Sequence, residues 1–204
     1  MPSSTTAARK SRTAATGYPS PGQMFFQQFL KHPVMVGSII PSSGKLIRKM
    51  LGPVDWANTK LFVEYGPGVG TFCRPILERM APDATLIAID TNADFCDYLR
   101  HTIIDSRFKA VNGSAADVQK IVRDHGFDHA DYVLSGLPFS TLPPGVGPAI
   151  AKGTHDVLRP GGAFLVYQFS PKVKDFLVPH WDNIDHDMEW WNVPPAQLYW
   201  AWKD

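Results

Sequence analysis

The chain has 204 residues, 44% apolar and 19% charged, with 20 basic and 19 acidic side chains. That size suits one compact α/β unit with a sizeable core. No apolar run approaches the roughly 18 residues a membrane-crossing helix needs, and two cysteines, Cys73 and Cys96, without metal-type spacing point to a reduced, cytoplasmic setting.

The charge is unevenly spread. Residues 1–60 hold eight basic side chains against one acid, Asp55, while the remainder holds 12 basic and 18 acidic ones. Such an end is expected to meet an anionic lipid surface or a nucleic acid, unless it is simply a solvated face. Residues 1–20, rich in Ser, Thr, Ala and Pro, read as a disordered basic arm. Arg9, Lys10 and Arg12 are followed by no apolar block, so a secretory signal is not expected. Residues 21–204 read as a single domain that opens with two amphipathic helices inside 21–52. In the first, Phe25, Phe26, Phe29 and Leu30 share one side, with Gln27, Gln28 and Lys31 opposite. That pattern suits a helix lying on anionic lipid and equally one packed on a sheet. The second starts near Ser42 or Ser43 and groups Leu46, Ile47, Met50 and Leu51 against Lys45, Arg48 and Lys49. Packing on the sheet is expected for it.

Strand and helix then alternate. Strands are predicted at 61–63, 86–89, 108–111, 130–134 and 163–169, and helices at 71–80, 92–102, 117–125 and 145–158. The last of these helices is expected to stop before Arg159-Pro160-Gly161-Gly162, ahead of the fifth strand. Two further strands, holding Met188-Glu189-Trp190-Trp191 and Gln197-Leu198-Tyr199-Trp200-Ala201-Trp202, flank Val193-Pro194-Pro195 as an antiparallel hairpin.

Chemistry enters at Glu64-Tyr65-Gly66-Pro67-Gly68-Val69-Gly70. An apolar strand runs into an acid and then three glycines on alternate positions, which lets a ligand approach the main chain. The next strand ends in Asp90, about 20 residues on, where a carboxylate receives ribose hydroxyls. Loop and acid together point to an adenosine cofactor. The G-x-G-x-G spacing differs from the dinucleotide G-x-G-x-x-G, and Glu64 would repel phosphate yet attract an ammonium. S-adenosylmethionine carries an ammonium, a sulfonium and no phosphate. The expected contacts are Glu64, Tyr65, Gly66, Gly68, Gly70, Asp90 and Thr91, with Ser38, Ser114, Ala115 and Ser135. At Ser114 many methyltransferases carry an aspartate near the adenine amine. The expected fold is α/β and Rossmann-like: a mostly parallel seven-stranded methyltransferase sheet with a C-terminal antiparallel hairpin and N-terminal amphipathic helices.

The reaction class rests on Ser135-Gly136-Leu137-Pro138-Phe139, which follows the fourth strand, where methyltransferases hold the acceptor atom. Adenine N6 enzymes place Asn or Asp first there, to grip an exocyclic amine with the base stacked on an aromatic. Ser135 has no amide, which weakens base recognition. A small polar residue and a proline-fixed carbonyl suit an aliphatic amine, with Phe139 offering its ring to a developing cation. Ser135, Gly136, Leu137 and Phe139 are therefore expected to position the acceptor, with no covalent nucleophile. His180 and His186 near Asp182, Asp185 and Asp187 read as a solvated acidic turn, and no metal is expected.

Here the chain resembles the small bacterial phospholipid N-methyltransferases that convert phosphatidylethanolamine toward phosphatidylcholine. The resemblance spans about residues 23–202. It rests on Phe29-Leu30 with Pro33, Val36-Gly37-Ser38-Ile39, Pro41-Ser42-Ser43, the glycine loop, Ser135-Gly136-Leu137-Pro138 and Asn192-Val193-Pro194-Pro195-Ala196. It implies a peripheral enzyme on the inner face of the cell membrane, attached through its first helix to anionic lipid. Tyr18, Phe25, Phe29, Lys31 and Lys45 would contact membrane or substrate, and neither nucleic acid nor a protein partner is implied. An rRNA or small-molecule N-methyltransferase, or a cofactor-binding protein that has lost transfer, are the other readings left open.

Overall fold

The computed structural model describes residues 44–192 and 195–204. Seven strands form one sheet: β1 (Leu61–Tyr65), β2 (Thr85–Asp90), β3 (Phe108–Asn112), β4 (Ala130–Ser135), β5 (Leu158–Gln168), β6 (Asn183–Glu189) and β7 (Ala196–Trp202). Their order is β3-β2-β1-β4-β5-β7-β6. The first five run parallel, and β7 is antiparallel to both β5 and β6.

Helix α1 (Gly44–Leu51) precedes the sheet. The crossovers carry α2 (Cys73–Leu77), α3 (Ala93–Thr102), α4 (Val118–Asp124) and α5 (Val146–Val157), and α6 (Lys174–Leu177) follows β5. Period-two alternation sorts the strand side chains between two cores. Phe62, Leu86, Ala88, Tyr132 and Leu134 pack against α1, α2 and α3. Val63, Tyr65, Ile87, Ile89, Val133 and Phe164 pack against α4, α5 and α6. With both faces covered, every residue of β1 is buried.

The α1 helix behaves as its pattern predicts. Leu46, Met50 and Leu51 are buried, the Trp200 indole N–H donates to the Met50 carbonyl at 2.9 Å, and Lys49 bridges to Asp187 at 2.8 Å. Its start at Ser42 or Ser43, and the whole first helix, lie outside the described residues. At the amino edge of the sheet, buried Asp131 accepts the main-chain N–H groups of Lys60 (2.7 Å) and Leu61 (2.8 Å) and pairs with Arg159.

Two boundaries differ from the sequence reading. Arg159-Pro160-Gly161-Gly162 does not precede β5 but is part of it. The chain's tail supplies the bonding partner: Gly161 N–H donates to Lys203 O (2.7 Å) and Lys203 N–H to Gly162 O (2.9 Å). Conversely, β6 stops at Glu189, so Trp190 and Trp191 belong to the hairpin turn instead of the strand. Glu189 makes that turn, its carboxylate accepting the Trp191 N–H at 3.0 Å.

Candidate active site at the carboxyl edge of the sheet

The strand order reverses between β1 and β4, the point at whose carboxyl ends sheets of this kind take their ligands. All the chemistry-bearing segments of the sequence that lie within the described residues reach this edge. The glycine loop follows β1, Asp90 ends β2, Ser114 follows β3, and Ser135–Leu137 ends and follows β4.

The loop after β1 is built by glycine conformations. Gly66, Gly68 and Gly70 have φ of 62°, 54° and 81°, left-handed values that disfavour a side chain. Two of them also permit close packing. A Cβ on Gly66 would stand 2.9 Å from Leu137, and one on Gly70 2.7 Å from Leu99. The loop is pinned by Gly66 N–H to Ile89 O (2.9 Å) and Gly70 N–H to Pro67 O (2.8 Å).

Asp90 ties this loop to the next helix. Its carboxylate accepts from Gly68 N–H (3.3 Å) and Asn92 N–H (2.9 Å). Asn92 caps α3 in turn, accepting from Asp94 N–H at 2.9 Å. A carboxylate offers about four lone-pair sites, so Asp90 is positioned by two bonds and keeps capacity for two more. Burial pushes its pKa up, against the opposing pull of the two amides.

Glu64 faces the opposite side of β1 from Tyr65. It is only 3% exposed and accepts a bond from the Cys73 thiol at 3.1 Å. Burial raises its pKa from 4.5 to about 7, opposed by the thiol and reinforced by the charge of Asp90. Burial also holds Cys73 as a thiol, its pKa pushed well up. A buried carboxylate with one weak donor favours a cation nearby, which would stabilise its charged form.

The segment after β4 is held from several sides. Ser135 is fully buried, and its Oγ accepts from Leu137 N–H at 3.2 Å. The Gly136 N–H donates to Tyr65 O, across to β1, at 3.5 Å. A Cβ on Gly136 would sit 2.3 Å from the Tyr167 hydroxyl oxygen, so the tyrosine lies directly on the glycine. Leu137 O accepts both Gln168 Nε2 (2.8 Å) and Phe139 N–H (2.9 Å). Pro138 O accepts Thr141 N–H (2.9 Å) and Thr141 Oγ1 (3.1 Å). Gly136 O accepts no bond among the described residues, which singles it out as the open acceptor of this turn.

Two expected side chains, those of Tyr65 and Phe139, point into the core. The Tyr65 side chain is in the core, its hydroxyl 3.0 Å from Thr154 Oγ1 and its ring edge-on to Phe164. Strand alternation places it opposite Glu64, so only its main chain serves the edge. Phe139 is corrected likewise. It is 2% exposed and packs against Phe164 and Phe176 beneath the turn, because the residue after Pro138 enters a short 3₁₀ turn directed inward. Its ring supports the turn after β4 from beneath. Ser114 caps a 3₁₀ turn, its Oγ accepting from Ala116 N–H at 3.2 Å, and Ala115 is buried. Thr91 is exposed at the edge. Lys45 is exposed with its Nζ 5.0 Å from the Trp191 ring centre. Tyr18, Phe25, Phe29, Lys31 and Ser38 lie outside the described residues.

Asn92, Cys73, Tyr167 and Gln168 were not anticipated. Asn92 carried a legible signal, a cap residue just after the strand acid. The other three act across 9 to 31 residues, and no local pattern marks them. Among the described residues, no group of three His, Cys, Asp or Glu side chains is arranged to hold a metal ion.

Comparison with known proteins agrees with this geometry. Residues 62–162 match a family model described as a methyltransferase domain. The chain is 31% identical over 178 residues to the ornithine lipid N-methyltransferase of Singulisphaera acidiphila, covering 86% of this chain and 93% of that one. Among solved structures, it resembles an O-methyltransferase from Bacillus cereus in complex with SAH, with a TM-score of 0.63, 12% identity, and 93% and 94% of the two chains covered. It also resembles the precorrin-6y C5,15-methyltransferase of Geobacter metallireducens, with a TM-score of 0.63, 12% identity, and 81% and 94% covered. At that identity the structures speak to the fold: a Rossmann-like methyltransferase sheet with a C-terminal antiparallel hairpin. The chain belongs to the class I S-adenosylmethionine-dependent methyltransferases, in the family of the Singulisphaera enzyme.

Proposed function

We propose that this protein transfers methyl groups from S-adenosylmethionine to the headgroup amine of a membrane lipid. Phosphatidylethanolamine is the acceptor favoured by the resemblance of the Ser135 and Asn192 segments. The relative is named for ornithine lipid, which likewise presents a primary amine on a flexible arm. The observation that carries the reading is the turn after β4: a serine in place of the base-gripping amide, with Gly136 O as its open acceptor.

The residues at the edge fit the cofactor. The left-handed glycines carry no side chain that would keep an adenosine-sized ligand from the main chain of the loop, and the spare lone pairs of Asp90 suit ribose hydroxyls. The buried Glu64 carboxylate suits an ammonium group close to the loop. The cofactor supplies an electrophilic sulfonium methyl. The protein's part is alignment: Gln168 fixes Leu137 O, Leu137 packs on Gly66, and Gly136 N–H bridges to β1. These contacts hold the acceptor turn against the cofactor loop. Gly136 O receives an N–H of the incoming amine and orients its lone pair toward the methyl. The headgroup ammonium must first lose a proton, to water or to the lipid phosphate where the lipid has one. Positioning and desolvation of this kind supply much of the barrier reduction for a displacement.

The test is incubation with methyl-labelled S-adenosylmethionine and vesicles containing phosphatidylethanolamine or ornithine lipid, with ribosomal RNA in a parallel reaction. Label is expected in one amine lipid and absent from RNA. Label in RNA alone, or in neither lipid while the cofactor binds, would refute the proposal.

A further inference from the structure

We infer that the β6–β7 hairpin tip, with Lys45 of α1 beside it, is a membrane-docking surface additional to the amphipathic segment at residues 25–31, and that it presents the acceptor turn to an anionic bilayer. This rests on the lipid-amine reading above. Trp190 and Trp191 are 69% and 78% exposed, the two most accessible aromatic side chains among the described residues. Among the described residues neither ring enters the core or stacks on another aromatic ring. Their rings suit the headgroup region of a bilayer, where an apolar body and a polar N–H are both accommodated.

The hairpin's register decides where they point. Gln168 at the carboxyl end of β5 pairs with Gln197, and Ala196 pairs with Glu189. Residues 190–192 therefore leave the sheet at the same edge as the turn after β4, whose Ser135 lies beside Val166 of β5. Between β4 and β7 lie two strand spacings, roughly 10 Å. A bilayer touched by the tip thus faces the opening where Gly136 O awaits an amine.

A buried acid shapes the tip and basic side chains stand near it. The Glu189 carboxylate, itself buried, holds the Trp191 N–H. Lys45 stands over the Trp191 ring, and Lys49 anchors α1 to the Met188 carbonyl and to Asp187. Lys172 and Lys174 leave β5 at this same edge with exposed Asp175 next to them, and neither lysine forms an ion pair among the described residues. Asp187 is neutralised by Lys49 and Glu189 is buried, so the accessible charge beside the tryptophans is that of Lys45. Cations beside interfacial aromatics are what an anionic lipid surface attracts.

The experiment compares the full chain with the double variant Trp190→Ala/Trp191→Ala. It measures co-sedimentation with phosphatidylglycerol-containing vesicles, quenching of tryptophan emission by brominated lipid, and methylation of long-chain vesicle lipid against a short-chain lipid below its micelle concentration. Vesicle affinity is expected to fall by a factor on the order of tens, vesicle methylation to fall with it, and the short-chain reaction to stay at the wild-type rate. A Trp190→Phe/Trp191→Phe variant should recover part of the loss. Unchanged vesicle affinity, or equal loss on both substrates, would overturn the docking surface while leaving the lipid-amine reading intact. A concentration-dependent dimer abolished by the substitution would assign the tip to a second copy and overturn it too. If neither lipid form is methylated while vesicle binding still depends on the tryptophans, the functional reading fails and the docking surface stands.

Discussion

Replacing Glu64 by glutamine removes one charge without changing shape, and the structure sets the size of the effect. In an unfolded chain a glutamate titrates near 4.5, whereas buried Glu64 keeps its proton to about 7. The folded form therefore binds more protons than the unfolded form between these values. The stability Glu64 confers is present below pH 4.5 and lost as pH rises through 7. A gap of about 2.5 pH units corresponds to about 3 kcal/mol. Glu64→Gln should thus stabilise the cofactor-free protein by up to about 3 kcal/mol at pH 8 and leave it nearly unchanged at pH 4.5. The glutamine carbonyl can still accept the Cys73 thiol. Cofactor binding should respond in the opposite sense, since an ammonium near the loop favours ionised Glu64. Wild-type affinity should weaken by up to about tenfold per pH unit below 7, and the variant should bind more weakly at pH 8 with little slope. Urea denaturation and titration calorimetry from pH 5.5 to 8 read both quantities. A wild-type affinity flat over that range, or an identical slope in the variant, would refute the reasoning.

Other substitutions separate the site from its scaffold. Gly136→Ala drives a methyl group into Tyr167 at 2.3 Å and should displace the acceptor turn, lowering lipid methylation by roughly 10²-fold with little change in thermal midpoint. Asp90→Ala removes the carboxylate bonded to Gly68 and Asn92 and should weaken cofactor binding by about 1.5–3 kcal/mol in calorimetry. Asp131→Ala strands Arg159 and the Lys60 and Leu61 amides, the second of them buried, at the opposite edge. It should cost about 3–5 kcal/mol in urea denaturation with cofactor affinity unchanged at low denaturant. Phe139→Leu should retain most activity while losing about 1–2 kcal/mol of stability; loss of activity in a stable protein would instead place the ring at the substrate.

Much of this architecture was legible because it rests on local periodicity. The five parallel strands are short apolar runs, and the glycine loop and Asp90 announce their edge because left-handed backbone and a strand-end acid are both written in residue type. The role of Tyr65 was equally legible in principle, since alternation along β1 cannot direct both Glu64 and Tyr65 to one face. Other features depended on partners distant in the chain. Arg159-Pro160-Gly161-Gly162 carries every mark of a turn, and only the tail at Lys203 makes it strand. Nothing near Leu137 announces that Gln168 will take its carbonyl. Trp190-Trp191 reads as strand by composition; the strand ends two residues earlier, at Glu189, whose buried carboxylate folds the chain over.

The central claim is that a sulfonium donor lies along the ends of β1 and β2 with its methyl toward Gly136. A crystal grown with S-adenosylhomocysteine tests it most directly. The expected result is a ribose within hydrogen-bond distance of Asp90, an amino-acid end beside the glycine loop near Glu64, and sulfur facing the turn after β4. A ligand bound elsewhere, or this edge closed by side chains in crystals of protein shown by calorimetry to bind the compound, would contradict it.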